Sequence, residues 1–261
     1  MKYTLDTDFS TLRGAETERW MEGFPEMTKS AFDGRDNRTK LLAHLLILEP
    51  YVHTLRLALA EQDEQPSKVL ERGMELLWGY LEGKAGLADF EDFANNLFSA
   101  TIHYNTGEEL TEAQREFYEE HLQALEGNGL EWSALGWISD LLITLTASEG
   151  GRLDFPLDAE SQLPAYRQIF FTDVEELLNG LADFCIDALD IPMASNRAKD
   201  YISAINQAYE TPLFRQVVAQ VLQGMRTALT AQPEQYEALR REYQDYLLVP
   251  EAYLEEFSDF F

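Results

Sequence analysis

Apolar positions along this chain recur at helical rather than strand spacing. The densest run lies between Asp36 and Gln62, where Leu41, Leu42, Leu45, Leu46, Leu48, Val52, Leu55, Leu57 and Leu59 leave little of the circumference polar. A helix apolar on most of its faces is buried by its neighbours, so this segment is expected at the centre of the fold. Asp36 supplies an N-cap for it, whereas Pro50 lacks an N–H and sets its ring against the Leu46 carbonyl, so a kink or a split is expected there.

The flanking pattern predicts further helices. Gly14–Phe32, interrupted by Pro25, reads as two short helices; Ser67 caps a run through Val69, Leu70, Met74, Leu77, Trp78 and Leu81; another helix is expected from about Asp89 to His103. Thr111 with Gln114 has capping-box spacing, predicting a helix to Glu126 that turns Phe117, His121 and Leu125 inward before Gly127-Asn128-Gly129. Trp132–Ala147 is strongly apolar and is read as helix on its length.

After a small, polar stretch at Ser148–Pro156, Asp158 is expected to cap a helix with Leu163, Tyr166, Ile169 and Phe170, shortened or kinked by Pro164. Thr172 and Glu175 repeat the capping-box spacing ahead of Val174–Leu189. Tyr201, Ile202, Ile205, Ala208 and Tyr209 mark the next helix, and Thr211-Pro212 opens one with Val217, Val221 and Met225. Pro233 and Pro250 begin two last helices. No hairpin signature joins alternating runs. The expected fold is all-α, a compact irregular bundle of about ten helices or a stack of helical hairpins, in a single domain over residues 1–261 with a candidate subdomain boundary near 148–157.

Charge narrows the partners. The chain carries 47 Asp and Glu against 20 Lys and Arg, a formal net charge of −27. Nucleic acids and anionic membrane surfaces are polyanions that recruit Lys and Arg, so neither is an expected partner. No apolar run has the length of a membrane span and the N-terminus lacks the character of a signal peptide, so a cytoplasmic location is expected. The single cysteine, Cys185, sits among Leu181, Phe184 and Leu189 and is read as a small buried apolar residue of a reduced compartment.

Catalytic chemistry finds little support in the spacing. A di-iron bundle needs Glu-x-x-His pairs, yet Leu41, Pro50, Ala100 and Tyr118 stand three before His44, His53, His103 and His121. Neither an adjacent His-Asp pair nor an Asp-Asp-x-x-Asp cluster occurs, and there is no phosphate-binding glycine loop or recognisable nucleophile motif. Glu112, Glu116 and Glu120, and Asp183 with Asp187, share helix faces, a spacing that suits a hard cation but equally a solvated outer face. No catalytic residue, metal or cofactor is assigned.

The distribution of acid is more informative. From Asp154 to Asp190 the only base is Arg167, and the C-terminal stretch from Glu251 contains none. Asp173, Glu175, Glu176, Asp183 and Asp187, together with Tyr243, Tyr246, Tyr253, Glu255 and Glu256, are the candidate contacts for a basic protein, since tyrosines beside carboxylates suit an interface that receives Lys and Arg. Core packing of the aromatics and solubility from the acids are the competing readings.

In being strongly acidic, all-helical and without enzymatic motifs, the chain is similar to the helical immunity proteins of bacterial polymorphic-toxin systems. The resemblance is one of general character and carries no family residue over to this sequence. It implies stoichiometric binding of a cognate toxin domain, often a basic nuclease, whose functional surface is covered. An enzyme with an active site assembled from distant helices, or a helical scaffold or adaptor, are the alternatives.

Overall fold

In a computed structural model describing residues 3–62, 64–125, 129–155, 163–193 and 197–260, the helical periodicities become thirteen α-helices, with no strand among the described residues. In chain order they are α1 (Ala15–Glu22), α2 (Phe24–Ala31), α3 (Asn37–Glu61), α4 (Lys68–Leu81), α5 (Leu87–Thr106), α6 (Glu112–His121) and α7 (Gly129–Ser148). There follow α8 (Leu163–Tyr166), α9 (Thr172–Ala188), α10 (Ala198–Tyr209), α11 (Pro212–Thr230), α12 (Tyr236–Tyr243) and α13 (Leu254–Phe260). Among the described residues no helix is long and apolar enough to cross a membrane.

The protein is all-α, as the periodicity predicts, and most of the expected caps form. Asp36 accepts from the Thr39 amide at 2.8 Å, Ser67 from Leu70 at 3.2 Å and Thr211 from Phe214 at 3.2 Å. Thr111 and Gln114 make a reciprocal capping box. Four expectations change. Of the kink or split expected at Pro50, the split does not occur, since α3 continues through it; the Thr54 hydroxyl and the Leu248 amide both bond the Pro50 carbonyl, at 2.8 and 3.3 Å. Thr172 is the first residue of α9 instead of its cap, and no side-chain cap bond forms there.

The remaining two corrections concern where helices end and which face turns inward. Helix α6 stops at His121, and its buried residues are Gln114 and Tyr118, leaving Phe117 half-buried and His121 exposed with their rings 5.0 Å apart. Gln114 is drawn inward because its amide donates to the Ser99 hydroxyl at 2.7 Å, a polar bond that an apolar periodicity does not reveal. Of the helix expected after Asp158, itself outside the described residues, the described part is α8, which ends at Tyr166, so that Ile169 and Phe170 are not helical.

The chain forms two compact units. The first comprises the described residues of Met1–Thr54, Phe170–Ala231 and Tyr243–Phe260. Its core is the apolar run of α3 with α9, α11 and α13: Leu41, Leu42, Leu45 and Leu46 are fully buried, and the Phe257 ring meets Phe184 at 5.5 Å and Tyr51 at 6.1 Å. Gly224 lets α11 approach α3 closely, since a Cβ there would stand 3.3 Å from the Leu46 Cβ. Arg215 ties the N-terminal arm to this core, donating to the carbonyls of Phe9 and Leu12 at 2.8 and 2.6 Å and to Glu210 at 2.7 Å.

The second unit comprises the described residues of Leu55–Ile169 and Gln232–Glu242. Helix α7 packs on α4 and α5. Gly73 faces Ile138, whose Cγ2 would lie 2.5 Å from a Cβ at that position, so only glycine fits without displacement. The stretch read as a boundary is held inside this unit: the Asn95 carboxamide donates to the Arg152 carbonyl at 2.9 Å and accepts from the Asp154 amide at 2.7 Å. The division nearest to it falls between Ile169 and Phe170; residues 156 and 157 lie outside those described.

Candidate protein-binding face

Helix α9 turns Val174, Leu178, Leu181, Phe184 and Cys185 into the first unit's core and so sends its acids outward. Asp183 and Asp187, one turn apart, share a face. The helix ends in a Schellman motif: the Ile191 amide reaches the Ile186 carbonyl at 2.9 Å, the Asp190 amide reaches Asp187 at 3.1 Å, and Asp190 takes a left-handed φ of 48°. Aspartate tolerates that conformation better than most residues.

Helix α10 packs against α9. Its buried contacts are Ala204 and Ala208, small residues one turn apart, and their burial leaves the large apolar residues of the first turn outside. Tyr201 is 43% exposed and Ile202 54%, with Met193 before the helix at 43%. The Tyr201 hydroxyl donates to Asp183 Oδ1 at 2.7 Å, joining the two helices. That bond to Asp183, with burial and the carboxylate's charge behind it, pushes the phenol up to about 12, so Tyr201 stays neutral and bonded at ordinary pH.

Negative charge extends along this side. Burial first, and then Asp183, Glu18 and Glu22, raise the Tyr209 phenol above its ordinary value, which places the acids of α1 near the same ring. Arg197 and Lys199, both exposed, make the start of α10 mixed in sign. The face therefore presents a carboxylate bonded to an exposed tyrosine, with an exposed isoleucine next to it in sequence.

The other candidate contacts are distributed. Asp173 and Glu175 are half-buried and Glu176 exposed at the start of α9, ten residues from Asp183 and so about 15 Å along the helix axis. Burial, with Glu176 beside it, raises the Glu175 carboxyl above its ordinary value. Tyr246 is 39% exposed, Tyr253 half-buried, and Glu255 and Glu256 exposed on α13, which packs on α9. Tyr243 belongs to the interior: it is 3% exposed, with its hydroxyl 3.3 Å from that of Thr227, because it lies on the apolar stripe that also buries Tyr236. Tyr243 is therefore removed from the face.

Tyr201, Ile202 and Met193 are the residues that sequence reasoning missed. Tyr201 and Ile202 read as the apolar stripe of α10, but Ala204 and Ala208 mark the true contact stripe. No sequence signal separated the two stripes, since Tyr201, Ile202, Ile205 and Tyr209 fall within one arc of the helix.

Three of the four histidines are held by bonds to the backbone. His44 is fully buried, hydrogen-bonded to the Phe170 backbone and stacked on Phe171 at 4.7 Å; burial holds its pKa down at about 3. His53 bonds the Tyr246 carbonyl through Nδ1 at 3.1 Å, and His103 that of Glu108 at 2.6 Å. Burial pushes the Cys185 thiol up to about 11. Among the described residues no group of three or more His, Cys, Asp or Glu is placed to hold a metal ion. The chain matches no protein-family profile, no curated protein and no solved structure.

Proposed function

We propose that the chain is a binding protein that captures a basic protein on the face formed by α9 and α10. In its most concrete form it is an immunity-type inhibitor that covers the functional surface of a basic toxin or nuclease domain. The observation that carries this reading is the exposure of Tyr201 and Ile202 on α10, with the Tyr201 hydroxyl bonded to Asp183. An exposed aromatic and aliphatic cluster supplies the anchor of an interface, and acids around it supply orientation and speed. The net charge of −27 adds long-range steering, which raises association rates by about 10- to 1000-fold at low salt.

Affinity capture from a lysate of the source cell, run at low and high salt with wild type and with Ile202→Glu, tests the reading. The expected result is one stoichiometric basic protein, retained by wild type, weakened by salt and lost by the variant, whose own activity falls when wild type is added. Retention of no basic protein, or equal retention by the variant, overturns it.

A further inference from the structure

A second region of the first unit has the opposite character. The N-terminal arm, α1, α2, the turn after α2 and α11 enclose an open cavity of about 700 Å3, a size that suits a small organic ligand. Leu5 and Met27 are its buried apolar wall, Ala31 and Leu229 continue that wall half-buried, and Arg19, Arg35 and Arg226 lie around it.

The arginines are placed by local structure. Arg19 sits in the last turn of α1, one turn before Gly23, which joins α1 directly to α2. Arg35 follows Gly34, whose φ of 68° reverses the chain after α2, with the Arg35 amide bonded to the Phe32 carbonyl at 3.1 Å. Arg226 projects from α11 and touches the Leu5 carbonyl at 3.4 Å, holding the N-terminal arm as the cavity's edge.

In a chain with 47 acids, an arginine finds a carboxylate easily. Yet none of these three is within ion-pair distance of a carboxylate among the described residues, although Asp6 and Glu26 also line the cavity. Guanidinium groups present a planar fork of donors that matches a carboxylate. The chain's other charges are screened beyond about 8 Å at physiological ionic strength, so the local arginines set the potential here.

We propose that this cavity binds a small molecule with one carboxylate and an apolar body, the carboxylate held by the arginines and the body laid on Leu5, Met27 and Leu229. Asp6 and Glu26 on the wall, with Asp8 near Arg226 and Asp36 near Arg35, leave little net positive charge, which favours a monoanion over a phosphate dianion. The site is independent of the α9–α10 face and of the protein partner proposed for it.

Calorimetric titration of the full chain with octanoate, acetate, 1-octanol and octyl phosphate tests the assignment. Octanoate is expected to saturate at one per chain with a dissociation constant of about 1 mM or tighter, acetate and 1-octanol to bind at least about tenfold more weakly, and octyl phosphate no tighter than octanoate. Arg35→Gln and Arg19→Gln each weaken octanoate about tenfold or more, Arg35→Lys less so. Ala31→Phe, which places a ring in the cavity and leaves every arginine in place, weakens octanoate about tenfold or more. Absence of saturable octanoate binding, equal affinity for 1-octanol, tighter binding of octyl phosphate, or unchanged affinity in the Ala31→Phe variant each overturns the proposal.

Discussion

The α9–α10 face and the α1–α2–α11 cavity belong to the same unit of the same acidic chain, yet they use charge in opposite ways. On the face, the Asp183 carboxylate is bonded to an exposed Tyr201, followed by an exposed Ile202. In the cavity, the guanidinium-bearing Arg19, Arg35 and Arg226 line the same space as the buried Leu5 and Met27. The difference teaches that a net charge of −27 describes the long-range field and leaves the local chemistry open. A site is set by which charges lack an internal partner and which apolar groups stand next to them.

The strongest way to break the comparison is at Arg215, which supports both regions by fastening the arm that edges the cavity to the corner between α10 and α11. Its side chain is 11% exposed and bonds two carbonyls and Glu210. Arg215→Ala is expected to destabilise the fold by about 3 kcal/mol, since it strips a cation from buried acceptors. Urea denaturation measures the loss, and both octanoate and partner binding should weaken together.

Acid separates the two regions next. His44 lies under Phe170 and Phe171 at the start of α9, with a folded pKa that burial holds at about 3 against an ordinary value of 6.5. Between those values the unfolded chain binds a proton that the folded chain does not, so stability is lost as pH falls. The loss at pH 5 relative to pH 7 is about 2 kcal/mol. His44→Leu removes that component. Denaturation at the two pH values therefore shows a smaller pH dependence in the variant than in wild type.

Binding itself is the sharper instrument for the face. Ile202→Glu places a charge at the most exposed apolar residue of α10 and is expected to weaken the partner by about 2 kcal/mol, while Asp183→Asn, which removes the charge that holds Tyr201, weakens it by about 1 kcal/mol and reduces its salt dependence. Stability changes by no more than about 0.5 kcal/mol for Ile202→Glu, an exposed site. Surface-based kinetics at two salt concentrations measures both.

The smallest effect belongs to the second unit, where a buried acid has no role in either region. Glu131 accepts from the Ser67 amide at 2.7 Å, and burial raises its carboxyl above the ordinary value. Its folded form binds the proton more readily than the unfolded chain, so wild type gains stability as pH falls. Glu131→Gln keeps an acceptor and loses the charge, so it is expected to be neutral or stabilising by up to about 1 kcal/mol at pH 7, the advantage shrinking toward pH 4. Paired thermal melts at those pH values check the sign.

Much of the fold was legible because apolar periodicity and caps are local. The two short helices before α3, the caps at Asp36, Ser67 and Thr211, and the box at Thr111 all follow from neighbours within four residues. What was not legible depended on distant partners. Helix α3 runs on through Pro50, whose carbonyl is bonded by the Thr54 hydroxyl and by the amide of Leu248, nearly two hundred residues away. Gln114 is inside because Ser99 receives it.

The candidate sites divide in the same manner. The acids of α9 could be read from their density, but Tyr201 needed α10 to dock on α9 through two alanines before it met Asp183. The arginines of the cavity are spread from Arg19 to Arg226, so no sequence window contains them.

The most direct test of the face is hydrogen–deuterium exchange of the chain alone and with its captured partner. The account predicts slowed exchange at the C-terminal half of α9 and through α10, with the cavity helices α1 and α2 unchanged. Slowed exchange confined to other helices, or none in α9 and α10, would contradict it.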